Sequence, residues 1–328
     1  MKVPRCRALT LLMLIGTGSM LFGGAAFAQS FPSRTVKIVV PFPAGGSADV
    51  IARLVAEKLS REWPQAVVVE NRSGVNGGLG ADVVTKSPPD GHTILFATSP
   101  VFTTNKLLYK NLPYDPDRDF RPLSLAAVAP NVLGIYPKLP VKHLRELIAY
   151  AKAHPGELTF ASQGNASTGH LTATLFSQLA GVEMKHIPYR GAAPAWTDVI
   201  GGHVAMMWDG IPSILAQIRA GTVRALAVGS RQRSPALPDV PTAIEAGLAN
   251  FESESWFATA VSHDTPDELA QTLSQAIAAA IRSPEVSARI VQMGARPVGS
   301  TPDELSAYIA ATTAQWKHVI ETANIRIE

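Results

Sequence analysis

Cysteine is all but missing from this chain. Its one thiol, Cys6, lies ahead of an apolar run near the start, and none follows. That absence excludes disulfides, thiol nucleophiles and cysteine-ligated metals from the body of the protein. An excess of charge is missing too. Residues 1–28 read as a secretory signal peptide: Lys2, Arg5 and Arg7 precede an apolar stretch from Ala8 to about Phe22, which ends in Ala26-Phe27-Ala28. Cys6 precedes that stretch instead of following a cleavage site, so a lipid anchor is not expected. Removing three of the 29 basic residues and none of the 26 acidic ones leaves the two in balance. No nucleic-acid footprint is expected from such a surface. Long charge runs and low-complexity segments are also lacking. The roughly 300 residues that remain suffice for two compact domains held by packing alone.

What is present is a repeated strand, glycine turn and helix. Thr35-Val36-Lys37-Ile38-Val39-Val40 reads as a strand that Pro41 and Pro43 stop, and Ile51, Leu54, Val55 and Leu59 then recur at helical spacing. Between them stands Pro41-Phe42-Pro43-Ala44-Gly45-Gly46-Ser47. A second strand over Val67-Val68-Val69-Glu70 leads through Gly74 to a small-residue helix from about Asn76 to Val84, and Thr93-Ile94-Leu95-Phe96 is a third strand. This alternation predicts a mainly parallel sheet with helices on both faces and ligands beyond the strands' C-terminal ends. The middle of the chain repeats it. Strands are expected at 131–136, 158–161, 204–208 and 223–228, and helices after His143, from Thr168, and after Gly191. Beyond Thr265 the chain reads as helical. Thr265-Pro266-Asp267-Glu268 and Thr301-Pro302-Asp303-Glu304 each predict a reciprocal helix cap.

Several chemistries fail on their motifs. Neither glycine turn has the P-loop lysine, and Gly78-Leu79-Gly80 lacks a glycine at Val83, so nucleotide binding is not supported. No Gly-x-Ser-x-Gly elbow and no His-Glu-x-x-His pair occurs. Ser47, Ser73, Ser167 and Ser230 lie near turns, and His92, His170, His186 and His203 are scattered bases. Such a scatter is weak evidence for a triad. Free turn amides at a helix start suit a modest anion instead, with tight strand-to-helix turns as the plain alternative. Asp49 is placed to serve its own helix start. Asp209 either faces a ligand amine or hydroxyl or tightens the Gly210 turn, and Trp208 is either a ligand platform or a buried sheet residue.

A series of motifs in order then carries a resemblance. They include Val39-Val40-Pro41-Phe42-x-x-Gly45-Gly46-x-x-Asp49, Glu70-Asn71-Arg72-x-Gly74, Pro89-Asp90-Gly91-His92, Leu112-Pro113-Tyr114-Asp115-Pro116, Ala161-Ser162-x-Gly164, His186-x-Pro188-Tyr189-Arg190-Gly191 and Leu237-Pro238-Asp239-Val240-Pro241-Thr242. From about Phe31 to its end the chain resembles the extracytoplasmic solute receptors of tripartite tricarboxylate transporters, the Bug or TctC-type family.

The resemblance implies an α/β, two-lobed periplasmic binding protein fold of type II-like form. Each lobe would be a mainly parallel sheet flanked by helices, joined to the other by crossover segments. Lobe 1 would span 30–132 and 254–328, and lobe 2 would span 133–253. Phe42, Ala44, Gly45, Gly46, Ser47, Asn71, Gly74 and Asn76 would form one jaw. Ser162, Gly164, Asn165, Ser167, Thr168, Tyr189, Gly191 and Asp209 would form the other. The implied ligand is a small organic mono- or dicarboxylate, with an aromatic acid conceivable through Trp208. The implied partners are the inner-membrane permease subunits, and the implied state is a periplasmic monomer without cofactor. One departure stands out: Thr174 occupies a position after His170-Leu171 where such receptors often carry Glu, which makes amino-acid ligands less attractive. A receptor sensing for a membrane kinase and an exported serine hydrolase are the alternative readings.

Overall fold

The computed structural model describes residues 31–322 and 325, so the signal peptide expected over 1–28 lies outside the described residues. From Pro32 the chain forms one compact unit. In order it runs β1 (Val36–Val40), α1 (Ser47–Glu62), β2 (Val67–Asn71), a 3-10 turn (Val75–Gly77), α2 (Gly78–Thr85), β3 (Thr93–Thr98), α3 (Ser99–Phe102) and α4 (Asn105–Leu108). There follow β4 (Phe120–Ile135), α5 (Leu144–Ala153), β5 (Thr159–Ser162), α6 (Thr168–Ala180), β6 (Lys185–Pro188), α7 (Ala192–Gly201), β7 (Met206–Gly210), a 3-10 turn (Ile211–Ser213), α8 (Leu215–Arg219) and β8 (Arg224–Val228). The chain ends with β9 (Glu254–Ser262), α9 (Asp267–Arg282), α10 (Pro284–Gln292), β10 (Arg296–Pro297) and α11 (Pro302–Thr322).

Two mixed sheets carry two lobes. In the first, β1 pairs in parallel with β2 and β3, while β9 runs antiparallel between β3 and the first part of β4. In the second, β5 pairs in parallel with β6 and β7, and the end of β4 lies antiparallel to both β7 and β8. The expected mainly parallel sheets are thus parallel only where strands feed helices. β4 joins the two sheets as one 16-residue strand, of which the sequence pattern marked only the end from Asn131. β9 was not legible beforehand. Its run Glu254-Ser255-Trp256-Phe257-Ala258-Thr259-Ala260 is almost wholly buried and lacks the half-exposed alternation that signals a strand.

Separate cores fill the lobes. Phe102 and Trp256 pack with Leu305 in the first, while Phe96 stacks on Phe257 on the other face of β3; Phe160, Phe176, Trp208 and Phe251 pack in the second. The cap at Thr301 forms as expected: its amide donates to Glu304 at 2.9 Å and Thr301 Oγ1 accepts from the Glu304 amide at 3.3 Å. The cap expected at Thr265 does not. Pro266 keeps an extended ψ of 144°, Thr265 is buried, and α9 starts only at Asp267 without a side-chain cap.

The second glycine turn serves packing. Gly80, one turn into α2, lies so close to β1 that a Cβ would meet Pro41 Cβ at 2.7 Å and the Arg72 carbonyl at 2.8 Å. Neither neighbour is a flexible side-chain end. Gly80→Val is expected to lower stability by about 2–3 kcal/mol through overpacking, as urea denaturation would measure.

Candidate functional site

The C-terminal ends of the parallel strands from both sheets meet at one cavity, as strand-to-helix turns in α/β folds do. From the first sheet come the 41–47 turn after β1 and Thr98 at the end of β3. From the second come the 163–168 turn after β5, Gly191 after β6, and Asp209 on β7. The cavity is about 80 Å³, measured as the room open to the centres of water molecules. Among the described residues, no lysine, arginine or histidine lines it.

Three helix N-termini replace cationic side chains there. α1, α6 and α7 start at Ser47, Thr168 and Ala192, and each of these residues lines the cavity. The first amides of a helix have no intrahelical acceptor and sit at the positive end of its dipole. Gly46 caps α1 and Gly191 caps α7 without any side-chain hydrogen bond, which leaves those amides free of a competing oxygen. Only α6 is capped, by Ser167 Oγ accepting from the His170 amide at 3.3 Å. Ser47 adds a hydroxyl: its Oγ is buried and has no hydrogen-bond partner. Phe42, Pro43, Pro100 and Phe257 give the remaining wall an apolar character.

Asp49 holds the first turn in shape. Its carboxylate accepts from the Gly45 amide at 3.0 Å, from Arg53 at 3.0 Å and from Asn71 Nδ2 at 3.0 Å. Burial pushes this carboxyl up, but the bonds from Arg53, Gly45 and Asn71 outweigh it and hold it below the usual carboxylate range. Among the described residues Asp209 is the only charged side chain on the cavity wall, and protein donors occupy it. Gln163 Nε2 at 2.6 Å and the Gly210 amide at 2.7 Å bind Oδ1, while Trp196 Nε1 at 2.9 Å and the Ser213 hydroxyl bind Oδ2. Burial raises its pKa, and those four donors oppose the rise. The reading of Asp209 as a ligand acceptor is therefore corrected to that of a buried anchor for three segments of the second lobe.

The jaws touch. Asn76 Nδ2 donates to the Ala166 carbonyl at 3.0 Å, Tyr109 OH to the Asn165 carbonyl at 3.3 Å, and Ser99 Oγ lies 3.4 Å from Thr168 Oγ1. Val75, Asn76 and Ala166 all hold positive φ, of 49°, 47° and 61°, at or next to this junction. These left-handed backbone conformations, uncommon outside glycine, thus cluster where the jaws meet.

Nine of the sixteen residues expected at the site line the cavity: Phe42, Ala44, Gly46, Ser47, Asn76, Ser167, Thr168, Gly191 and Asp209. Seven do not. Gly45 borders a neighbouring groove; Asn71 is spent on Phe42 O and Asp49; the Gly74 carbonyl takes the Gly77 and Leu79 amides. Ser162 is buried against His186, the Gly164 carbonyl takes Ser167 Oγ, Asn165 meets Tyr109, and Tyr189 OH donates to Asp198 at 2.5 Å. Sequence reasoning missed Thr98, Pro100, Gln163, Ala192, Ala193, Ser255 and Phe257, among others. Thr98 and Pro100 follow a strand end, as the other site turns do, and that signal was available. Trp208 is no platform: it is fully buried, its ring tilted against Phe251 with centroids 4.8 Å apart.

Behind the 163–168 turn stand two imidazoles, His170 and His186, with ring centroids 4.0 Å apart. His186 Nε2 lies 2.7 Å from Ser162 Oγ, and His170 Nδ1 accepts from the Ala166 amide at 3.2 Å. Burial lowers His170 to about 4, and burial together with His170 lowers His186 to about 3. Both folded values lie below the ordinary value of 6.5. The unfolded chain therefore binds more protons in between, and stability falls as pH drops from 6.5 towards 3. Thermal melts from pH 7 to pH 4 are expected to show this loss, and His186→Gln is expected to flatten it.

The profile of the TctC family, described as the tripartite tricarboxylate transporter family receptor, matches residues 51–325. The chain belongs to this receptor family. Among its relatives, BugT of Bordetella pertussis is 37% identical over 321 residues, which cover 97% of this chain and 98% of BugT. A structure of R. palustris Rpa4515 with adipate is similar at 38% identity and a TM-score of 0.88, covering 90% of this chain and 99% of that one. The periplasmic binding protein BugD is similar at 33% identity and a TM-score of 0.86, covering 91% and 100%. The protein is thus a periplasmic binding receptor that delivers a carboxylate to a tripartite tricarboxylate transporter permease. Neither the hydrolase nor the kinase-sensor reading finds support among these relatives.

Proposed function

We infer that this receptor captures a small organic mono- or dicarboxylate whose head group lies among the amides of α1, α6 and α7. The observation that carries this reading is the convergence of three helix N-termini on a cavity that, among the described residues, no cationic side chain lines. Each N-terminus favours an anion by about 0.3–1 kcal/mol, and more where water is excluded. The ligand's carboxylate supplies the acceptor that Ser47 Oγ lacks. The apolar wall formed by Phe42, Pro100 and Phe257 takes its hydrocarbon part. The adipate of the Rpa4515 structure is a linear dicarboxylate, an apolar chain with a carboxylate at each end.

Capture follows from the two lobes. Residues 30–132 with 254–328 form one and 133–253 the other, and the ligand bridges them as they close about the β4 crossing. The closed monomer then presents a changed face to the permease. Thermal-shift and calorimetric titration with mono-, di- and tricarboxylates is expected to give one saturable site per chain. A set in which none of these acids binds would overturn the reading. Ser47→Ala is expected to weaken the best ligand roughly 10–150-fold, the worth of one hydrogen bond to a charged group. Its melting temperature should hardly change, because the hydroxyl has no protein partner.

A further inference from the structure

We propose that the binding cavity continues into a side chamber, which takes the distal end of an elongated carboxylate; this rests on the carboxylate reading of the main cavity. The chamber holds about 250 Å³ by the same measure as the cavity. Ala192 and Ala193 line both spaces, and Gly45 on the chamber wall adjoins Gly46 on the cavity wall. No residue of this shared boundary carries more than a methyl group. Gly45 has φ +84°, a conformation that suits glycine, and a Cβ built there would meet nothing within 4 Å. Pro43 of the first turn packs against Gly191 at the start of α7, where an added Cβ would come within 2.9 Å of it, so the room between the two spaces lies on the Gly45 side.

The chamber's chemistry selects its occupant. Trp196 and Ile200 offer apolar surface for a methylene chain. At the far side stands Gln217, whose side-chain amide makes no hydrogen bond among the described residues and can donate to a distal polar group. Trp196 Nε1 and Ser213 Oγ also border the chamber, and both donate to Asp209. They stand between that carboxylate and a tail, so its charge does not bar an acidic end. The class selected is a linear carboxylate longer than the main cavity, with a polar distal terminus.

Calorimetry of the purified receptor with succinate, adipate, suberate and sebacate tests this, with octanoate as a tail lacking the distal polar group. Affinity is expected to rise roughly fourfold per added methylene until the chamber is full. Thr197→Trp, on the chamber wall alone, is expected to remove tenfold or more of the suberate affinity and to keep succinate within twofold. Retained succinate binding also certifies that the variant folds. Gln217→Leu is expected to weaken suberate and spare octanoate. The chamber is overturned if affinity peaks at succinate, or if Thr197→Trp weakens all chain lengths equally or none. If no acid of any length binds, the carboxylate reading itself fails and the chamber proposal falls with it.

Discussion

Replacing Asp209 with alanine is expected to destabilise the receptor by about 4 kcal/mol and to abolish ligand binding. Four donors converge on this carboxylate: Gln163 Nε2, the Gly210 amide, Trp196 Nε1 and the Ser213 hydroxyl. Hydrogen bonds to a charged group contribute about 1.5–3 kcal/mol each, and donors left buried without acceptors add their own desolvation penalty. Water entering the vacated space recovers part of that, which sets the expectation well below a plain sum. For a chain of this size the loss amounts to a fall in melting temperature of roughly 8–16 °C. Binding fails for a geometric reason. Gln163 sits in the turn before α6, Trp196 lies in α7, and Ser213 ends the 3-10 turn after β7; the carboxylate ties all three to the cavity. Asp209→Asn keeps the volume but turns an amide N–H₂ towards donors, so it should lose a large part of the same stability. An alanine variant that melts within 2 °C of the parent would show that the network does not hold the second jaw.

The legible part of this fold was the part that repeats. β1, β2 and β3 are short apolar runs stopped by proline or glycine, and the turns after β1 and β5 carry small and polar residues. The helices between them show apolar spacing, as Leu171 and Leu175 do in α6. What was not legible depends on the chain returning to an earlier sheet. β9 joins the first sheet only through partners more than 100 residues away, at Phe257 against Ala127 for example. Its cavity residues Ser255 and Phe257 were invisible for the same reason. The early half of β4 was hidden by Pro122 and Pro130, which local rules place outside a central strand. Within the site, Ser162 and Gln163 are neighbours that the sequence ranked in the wrong order. Strand alternation turns Ser162 towards His186 and leaves Gln163 on the cavity, a choice that only the register of β5 against β6 decides. The second glycine turn misled because glycine serves close packing and anion contact equally well; Gly80 does the first, and from that turn only Asn76 reaches the cavity.

Asn131→Ala is expected to lower stability by about 3 kcal/mol and to shift the balance between open and closed lobes. Asn131 sits where β4 passes from the first sheet to the second and is fully buried. Its Nδ2 donates to Ser253 Oγ at 2.7 Å and Thr172 Oγ1 at 3.2 Å, and its Oδ1 accepts from Ser255 Oγ at 2.7 Å. Its backbone is held on both sides as well, donating to the Ser253 carbonyl at 3.2 Å and accepting from the Gly229 amide at 2.7 Å. One side chain thus joins the crossing of β4 to the returning strand, to α6 of the second jaw, and to Ser255 on the cavity wall. Truncation orphans the Ser255 hydroxyl and weakens the other two, whereas Thr172 and Ser253 keep their mutual 2.6 Å contact. The loss is therefore about one hydrogen bond, one unsatisfied buried group and a small cavity. A hinge that has lost this fixed point closes with less precision, so affinity should fall together with stability. Denaturation and small-angle scattering with and without saturating ligand read the two effects separately. Ser255→Ala supplies the control: if Asn131 acts through Ser255, the double variant should be less destabilised than the sum of the singles. Full additivity, or unchanged scattering in the ligand-bound state, would remove Asn131 from the hinge and leave it a buried polar residue like any other.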